Sequence, residues 1–226
     1  MSWGEWHKKW GHLGEVDPFG RKRYLANLMA LDDGISKLLD SLGEAEQLHN
    51  TILIFLSDKG GTINTYSNNA PLRGYNYMFG ESGIRVPLIV AWPGKIPGGM
   101  SNRSLASAMD IFPTLLELVD SERPENLDGK SLVPSLKNKE TDGMHDPLCW
   151  SDGRGASVIR KGPWKLITSK GWKHSNFHLH EQGIAKPAPD LKYPNGTVLF
   201  NLKQDIGETT DLSVRHPEIV TELSGL

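Results

Sequence analysis

The stretch Thr51-Ile-Leu-Ile-Phe-Leu56, closed by Ser57-Asp58-Lys59-Gly60-Gly61, constrains this chain more than any other. A run of apolar residues with no polar alternation is a strand covered on both faces, the state of strands inside an α/β sheet. A carboxylate placed where such a strand ends, followed by two glycines, can present a ligand or a metal at the sheet's carboxyl edge. The same residues also make an ordinary turn, with Asp58 as a solvated cap before Gly60-Gly61.

The flanking residues support a layered α/β body. Between Arg21 and Leu48, Leu25, Leu28, Leu31, Ile35, Leu38, Leu39 and Leu42 form one helical stripe, with Asp32, Lys37, Asp40 and Glu44 off it. Val86–Trp92 reads as a second buried strand, broken by Pro93-Gly94. The two strands are expected to be parallel neighbours, with the 21–48 helix packed on one face. Residues 59–85 form a long Gly/Asn/Tyr-rich connection of the kind that is usually functional or disordered. Ser107–Val119 reads as a helix with Asp110 and Pro113 in start positions. Beyond the loops of 120–147 the texture changes. Pro147–Ser151, Ala156–Arg160, Trp164–Thr168 and Thr197–Leu202 are short strand-like runs punctuated by Gly and Pro, and a closing helix follows at Pro217–Leu223. They predict a small antiparallel sheet capped by a helix, with the junction inside 121–146 and the division taken as 1–125 and 126–226.

Composition narrows the partners. With 226 residues, 38% hydrophobic and 23% charged, the chain can bury a sizeable core, and a net charge of −2 gives no electrostatic reason for nucleic acid or an anionic membrane as partner. No apolar run approaches the ~20 residues of a membrane span. Met1–Trp10 carries basic residues without an apolar core after them, so no signal peptide is read there; an N-terminus further upstream would leave export open. The single cysteine, Cys149, excludes an internal disulfide and leaves the compartment undecided. Asn102-Arg-Ser104 and Asn195-Gly-Thr197 fit a glycosylation pattern that is common by chance. Trp3, Trp6 and Trp10 share a helical spacing, but Gly4, Gly11 and Gly14 argue for an irregular segment that packs on something else. His174 and His178 are one helical turn apart while His178 and His180 share a strand face, so no single geometry gathers all three around a metal.

The ordered pieces resemble a known family. Tyr24 to Asp33 is similar to a Tyr-x-Ala-x-Met-x-x-Leu-Asp-Asp helix. The Ser57-Asp58 strand end, Pro71-Leu72-Arg73-Gly74, Gly83-Ile-Arg-Val-Pro87 and Asp110 to Leu115 follow, then Leu127-Asp-Gly-Lys-Ser-Leu132, Gly162 to Leu166 and Leu199-Phe-Asn-Leu202. These pieces in this order resemble the C-terminal half of the sulfatase family, within the alkaline-phosphatase-like superfamily. The resemblance implies a mostly parallel sheet with flanking helices, a small C-terminal antiparallel sheet, and hydrolysis of sulfate esters of an aryl or carbohydrate substrate. It also implies a formylglycine nucleophile from an upstream Cys/Ser-x-Pro-x-Arg motif, which this sequence does not contain. The expectation is therefore a chain whose first half is absent and which is inactive alone.

The resemblance further implies Ca²⁺ held by hard oxygen ligands, two of them from a Ser-Asp-Asn/His-Gly-Gly segment. Asp58 matches the first. Lys59 stands at the second, where an ammonium, with donors and no acceptor, cannot ligate a cation. Either Lys59 turns to solvent and leaves a weakened metal site, or it replaces part of the cation's charge by contacting sulfate. Asn76 falls where the family has a sulfate-contacting Lys, and it offers a hydrogen bond without a charge. Arg73 and Arg85 read as structural, Arg73 pinning its loop through backbone carbonyls or Glu81. The partners implied are a sulfated small molecule or glycan and a missing N-terminal half; the alternative is a sulfatase-like remnant that binds sulfated glycans or a partner without turnover.

Overall fold

The computed structural model describes residues 20–62, 67–76, 78–137, 144–153, 155–169 and 196–226. Trp3, Trp6, Trp10, Asn195 and the histidines at 174, 178 and 180 lie outside them. Helix α1, Gly20–Glu44, is followed by a 3₁₀ turn at Leu48–Asn50 and strand β1, Leu53–Leu56. The chain leaves α1 through Glu46, whose φ of 57° is left-handed, and the Gln47 N–H closes back on the Leu42 carbonyl at 2.8 Å. A four-residue helix α2, Glu81–Ile84, leads into β2, Leu88–Ala91. Helices α3, Ile111–Leu118, and α4, Val133–Leu136, come next, then β3, Leu148–Ser151, β4, Ala156–Lys161, β5, Trp164–Ser169, β6, Gly196–Asn201, and helix α5, Pro217–Ser224.

β1 and β2 are neighbours, as expected, but they are antiparallel rather than parallel, with Leu53 opposite Ala91 and Leu56 opposite Leu88. Uninterrupted apolarity reports two-sided burial and carries no information on strand direction. The length of the connection does not carry it either, since 57–87 exceeds the dozen or more residues that a parallel crossover needs. The expected packing of the 21–48 helix on this sheet is also not formed. Along the α1 stripe no side chain is fully buried, Leu38 being 55% exposed, and Ile89 of β2 is 59% exposed. A two-stranded sheet offers too little surface to cover a helix of 25 residues.

The second half matches its sequence pattern closely. β3, β4, β5 and β6 form one antiparallel sheet in chain order, and the period of two sorts its side chains into two layers. Leu166 and Leu199 meet Leu223 of α5, with Ile159, Trp164, Ile219 and Val220 around them. On the opposite face Val158, Ile167, Val198 and Phe200 pack with Leu202 and with Met78 of the long connection, flanked by Tyr75 and Phe79. The sheet is thus capped by α5 on one side and by Tyr75, Met78 and Phe79 on the other. That second face is what ties the two halves of the chain together.

Asp110 makes a further tie. Its carboxylate accepts the Ser107 N–H at 2.7 Å in a capping box, the Lys130 N–H at 2.8 Å, and Nε2 of buried His145 at 2.7 and 2.8 Å. Gly129 is required beside it, because a Cβ there would stand 2.0 Å from the Met109 carbonyl oxygen. The Leu-Asp-Gly-Lys turn is therefore a backbone fit to the start of α3.

Candidate functional site

The end of β1 turns sharply at Ser57, whose Oγ donates to the Lys59 carbonyl at 2.8 Å. Asp58 projects from this turn, 80% exposed, and its Oδ2 lies 3.6 Å from Nζ of Lys59, itself 48% exposed. An ion pair at that exposure contributes about 0–1 kcal/mol. It holds the two side chains loosely and would yield to a stronger ligand.

The turn is clamped from below by α2. The Gly60 N–H donates to the Gly83 carbonyl at 3.3 Å, and a Cβ on Gly60 would sit 1.5 Å from the Ser82 carbonyl oxygen. No side chain fits in that gap. The Gly61 carbonyl accepts the Asn76 N–H at 3.1 Å and Nδ2 of Asn69 at 2.9 Å. Asp58, Lys59 and Asn76 thus belong to one folded assembly, joined through Gly61. The Asn76 side chain is buried at 4% exposure, and its Nδ2 has no hydrogen-bond partner among the described residues. Replacing Gly60 by Ala is expected to lower stability by about 1–3 kcal/mol through overpacking. The denaturant midpoint measures it, and a variant as stable as the parent would show that the Gly60–Ser82 approach is not tight.

Calcium needs six to eight oxygen ligands. Asp58 supplies a carboxylate, its neighbour is an ammonium, and among the described residues no group of three or more His, Cys, Asp or Glu could hold a metal. These residues do not fit a calcium ion by themselves.

A buried charge cluster underlies the turn. Glu81, Lys165 and Glu208 are each fully buried. Nζ of Lys165 sits 2.9 Å from Oε1 of Glu81 and 2.8 Å from Oε1 of Glu208. The Glu81 N–H donates to Oε2 of Glu208 at 2.7 Å. Arg160 and Arg85 approach Oε2 of Glu81 at 3.4 and 3.8 Å. Nη1 of Arg73 donates to the Glu208 carbonyl, so Arg73 does pin its loop through a backbone carbonyl. Glu208 has a φ of 52°, a left-handed conformation that costs a non-glycine residue roughly 1–2 kcal/mol. It brings its carbonyl to Arg73 and its carboxylate to Lys165 and α2. Burial raises the Glu208 carboxyl above its ordinary range, against the lowering effect of Lys165.

Sequence reasoning named Glu81 only as a partner for Arg73 and missed Lys165 and Glu208. The signal was partly there. Lys165 alternates with Ile167 on the inward face of a strand, and its cross-strand neighbours are Arg160 and Phe200. A lysine at an inward position demands a carboxylate across from it. Nothing in the loop around Glu208 marks it as that carboxylate.

Comparison with known proteins agrees with this architecture. Residues 19–121 match the family model Sulfatase. The chain is 35% identical to arylsulfatase D of Homo sapiens over 212 residues, 84% of this chain and 35% of that one. It is 30% identical to arylsulfatase J of Mus musculus over 241 residues, 94% of this chain and 40% of that one. Among solved structures, Ps i-CgsB in complex with k-i-k-neocarrahexaose superposes with a TM-score of 0.74 at 28% identity, covering 92% of this chain and 42% of that one. The chain belongs to the sulfatase family, of the alkaline-phosphatase-like superfamily. It spans well under half the length of these relatives, consistent with its resemblance to the C-terminal half of the family.

Proposed function

We propose that this polypeptide is part of a sulfuric ester hydrolase acting on an aryl or carbohydrate sulfate, and that it acts when joined to residues it does not itself carry. The observation that carries this reading is the pairing of family membership with an uncovered sheet. The Asp58 turn is fully folded, while β1, β2 and the α1 stripe expose Phe55, Ile89, Leu28 and Leu38. Exposed apolar faces of this kind are normally covered by other polypeptide. The carbohydrate alternative draws on the likeness to a structure holding a neocarrahexaose. In this reading Asp58 gives one oxygen to a calcium ion whose other ligands come from elsewhere, Lys59 and Asn76 face the sulfate, and 1–125 and 126–226 remain the two parts of the chain.

Supplying the N-terminal half of a sulfatase in trans, with its Cys/Ser-x-Pro-x-Arg motif converted to formylglycine, should produce hydrolysis of 4-nitrophenyl sulfate that Asp58→Ala abolishes. Assembly without turnover would instead support a binding remnant. That second reading is favoured by Lys59 pairing with Asp58 and by the uncharged, buried Asn76.

The exposed faces also set the behaviour of the chain alone. Size-exclusion chromatography should show association, and heating should show a broad transition. A monodisperse monomer with one sharp melt would mean that these faces are covered within the chain.

A further inference from the structure

We propose that Lys165 and Glu208 are positioning residues for the Asp58–Asn76 assembly, so that the C-terminal sheet sets the geometry of the turn after β1. The proposal rests on the reading of that assembly as a site. Six contacts carry it. Lys165, inward on β5, holds Oε1 of Glu81 at 2.9 Å and Oε1 of Glu208 at 2.8 Å. Glu208 in turn accepts the N–H of Glu81, the first residue of α2. The next two residues of α2 are those on which the turn rests: Ser82 lies against the face of Gly60 that lacks a side chain, and the Gly83 carbonyl accepts the Gly60 N–H at 3.3 Å. Gly61 then receives the Asn76 N–H at 3.1 Å.

Neither Lys165 nor Glu208 has access to a ligand, since both side chains are fully buried. Their action is mechanical. α2 has four residues and gains little from its own hydrogen bonds, so its place is decided by what anchors its first residue. That anchor is ionic, directional and attached to a four-stranded sheet. Removing Lys165 leaves two carboxylates facing one another, and α2 with the turn above it is the movable partner.

Hydrogen exchange on the full chain tests this, comparing wild type with Lys165→Met. Amides of Gly60, Asn76, Ser82 and Gly83 should be accelerated in the variant at least tenfold more than amides of the β5–β6 pairing. A residue that merely stabilised the fold would accelerate both sets equally. That result, or an unchanged loop, overturns the proposal. Should Lys165→Met fail to fold, Glu208→Gln, which keeps the volume and loses the charge, must show the same preference for the loop amides. The readout involves no ligand, so it decides the positioning role whether or not the Asp58 reading survives its own assay.

Discussion

Assayed alone, the purified chain is expected to leave 4-nitrophenyl sulfate unhydrolysed at every calcium concentration. Sulfate-ester cleavage needs a nucleophile, cationic or metal stabilisation of developing charge, and an acid for the leaving oxygen. The sequence offers no Cys/Ser-x-Pro-x-Arg motif for the first. For the second, the described assembly offers an exposed Asp58 paired with Lys59. For the third, Asn76 is uncharged and buried. Loss of a nucleophile alone removes on the order of 10⁶ in rate where it has been measured in hydrolases, so background hydrolysis should be the ceiling. Calcium-stimulated turnover by the 226-residue chain, lost on Asp58→Ala, would refute the reading that further residues are needed.

The largest stability effect should come from the buried charge cluster. Truncating Lys165 to Ala leaves Glu81 and Glu208 without their shared counter-ion in a region closed to water, and breaking a buried pair in this way costs about 3–5 kcal/mol. That is a large part of a typical domain's 5–15 kcal/mol. By contrast, Lys161→Ala, which removes the exposed pair to Glu222 at 2.7 Å, should stay within ordinary surface effects. A cluster variant that melted with the parent would mean water reaches the cluster. The pH dependence follows from Glu208. Its carboxyl is raised above the ordinary 4.5, chiefly by burial, so the folded state binds that proton more tightly than the unfolded one. The resulting stability is complete below the ordinary value and is lost as pH rises through the raised one. Glu208→Gln cannot titrate, so the parent's unfolding free energy should fall relative to that of the variant as pH rises across this window.

What could be read from the sequence follows periodicity. The four-stranded sheet was legible because Gly and Pro bound each run and the alternation of Val158, Ile167, Leu166 and Leu199 survives in the structure. The α1 stripe was legible as a helix, yet its packing was not, because a stripe states that a face wants cover and not what covers it. Strand direction failed for β1 and β2 because an apolar run has no polarity along the chain. Asp58, Lys59 and Asn76 were placed by motif order; in the structure the Asn76 N–H meets the carbonyl of Gly61, three residues beyond Asp58. The support beneath them was not legible, since Glu208 is joined to Glu81 across 127 residues by a hydrogen bond that no local pattern encodes.

The reach of that bond has a consequence for how the polypeptide can be divided. Glu81 lies in the first half and Lys165 in the second, and the Asp110–His145 contact also crosses the division between 125 and 126. Cutting the chain there, by protease or by splitting its gene, would free two pieces that each carry buried charges made for the other. Either piece made alone would bring those charges into water or into an unpartnered core. The two would therefore have to be synthesised together to persist. A boundary that seems natural from the change in sequence texture is, for this reason, a poor place to break the molecule.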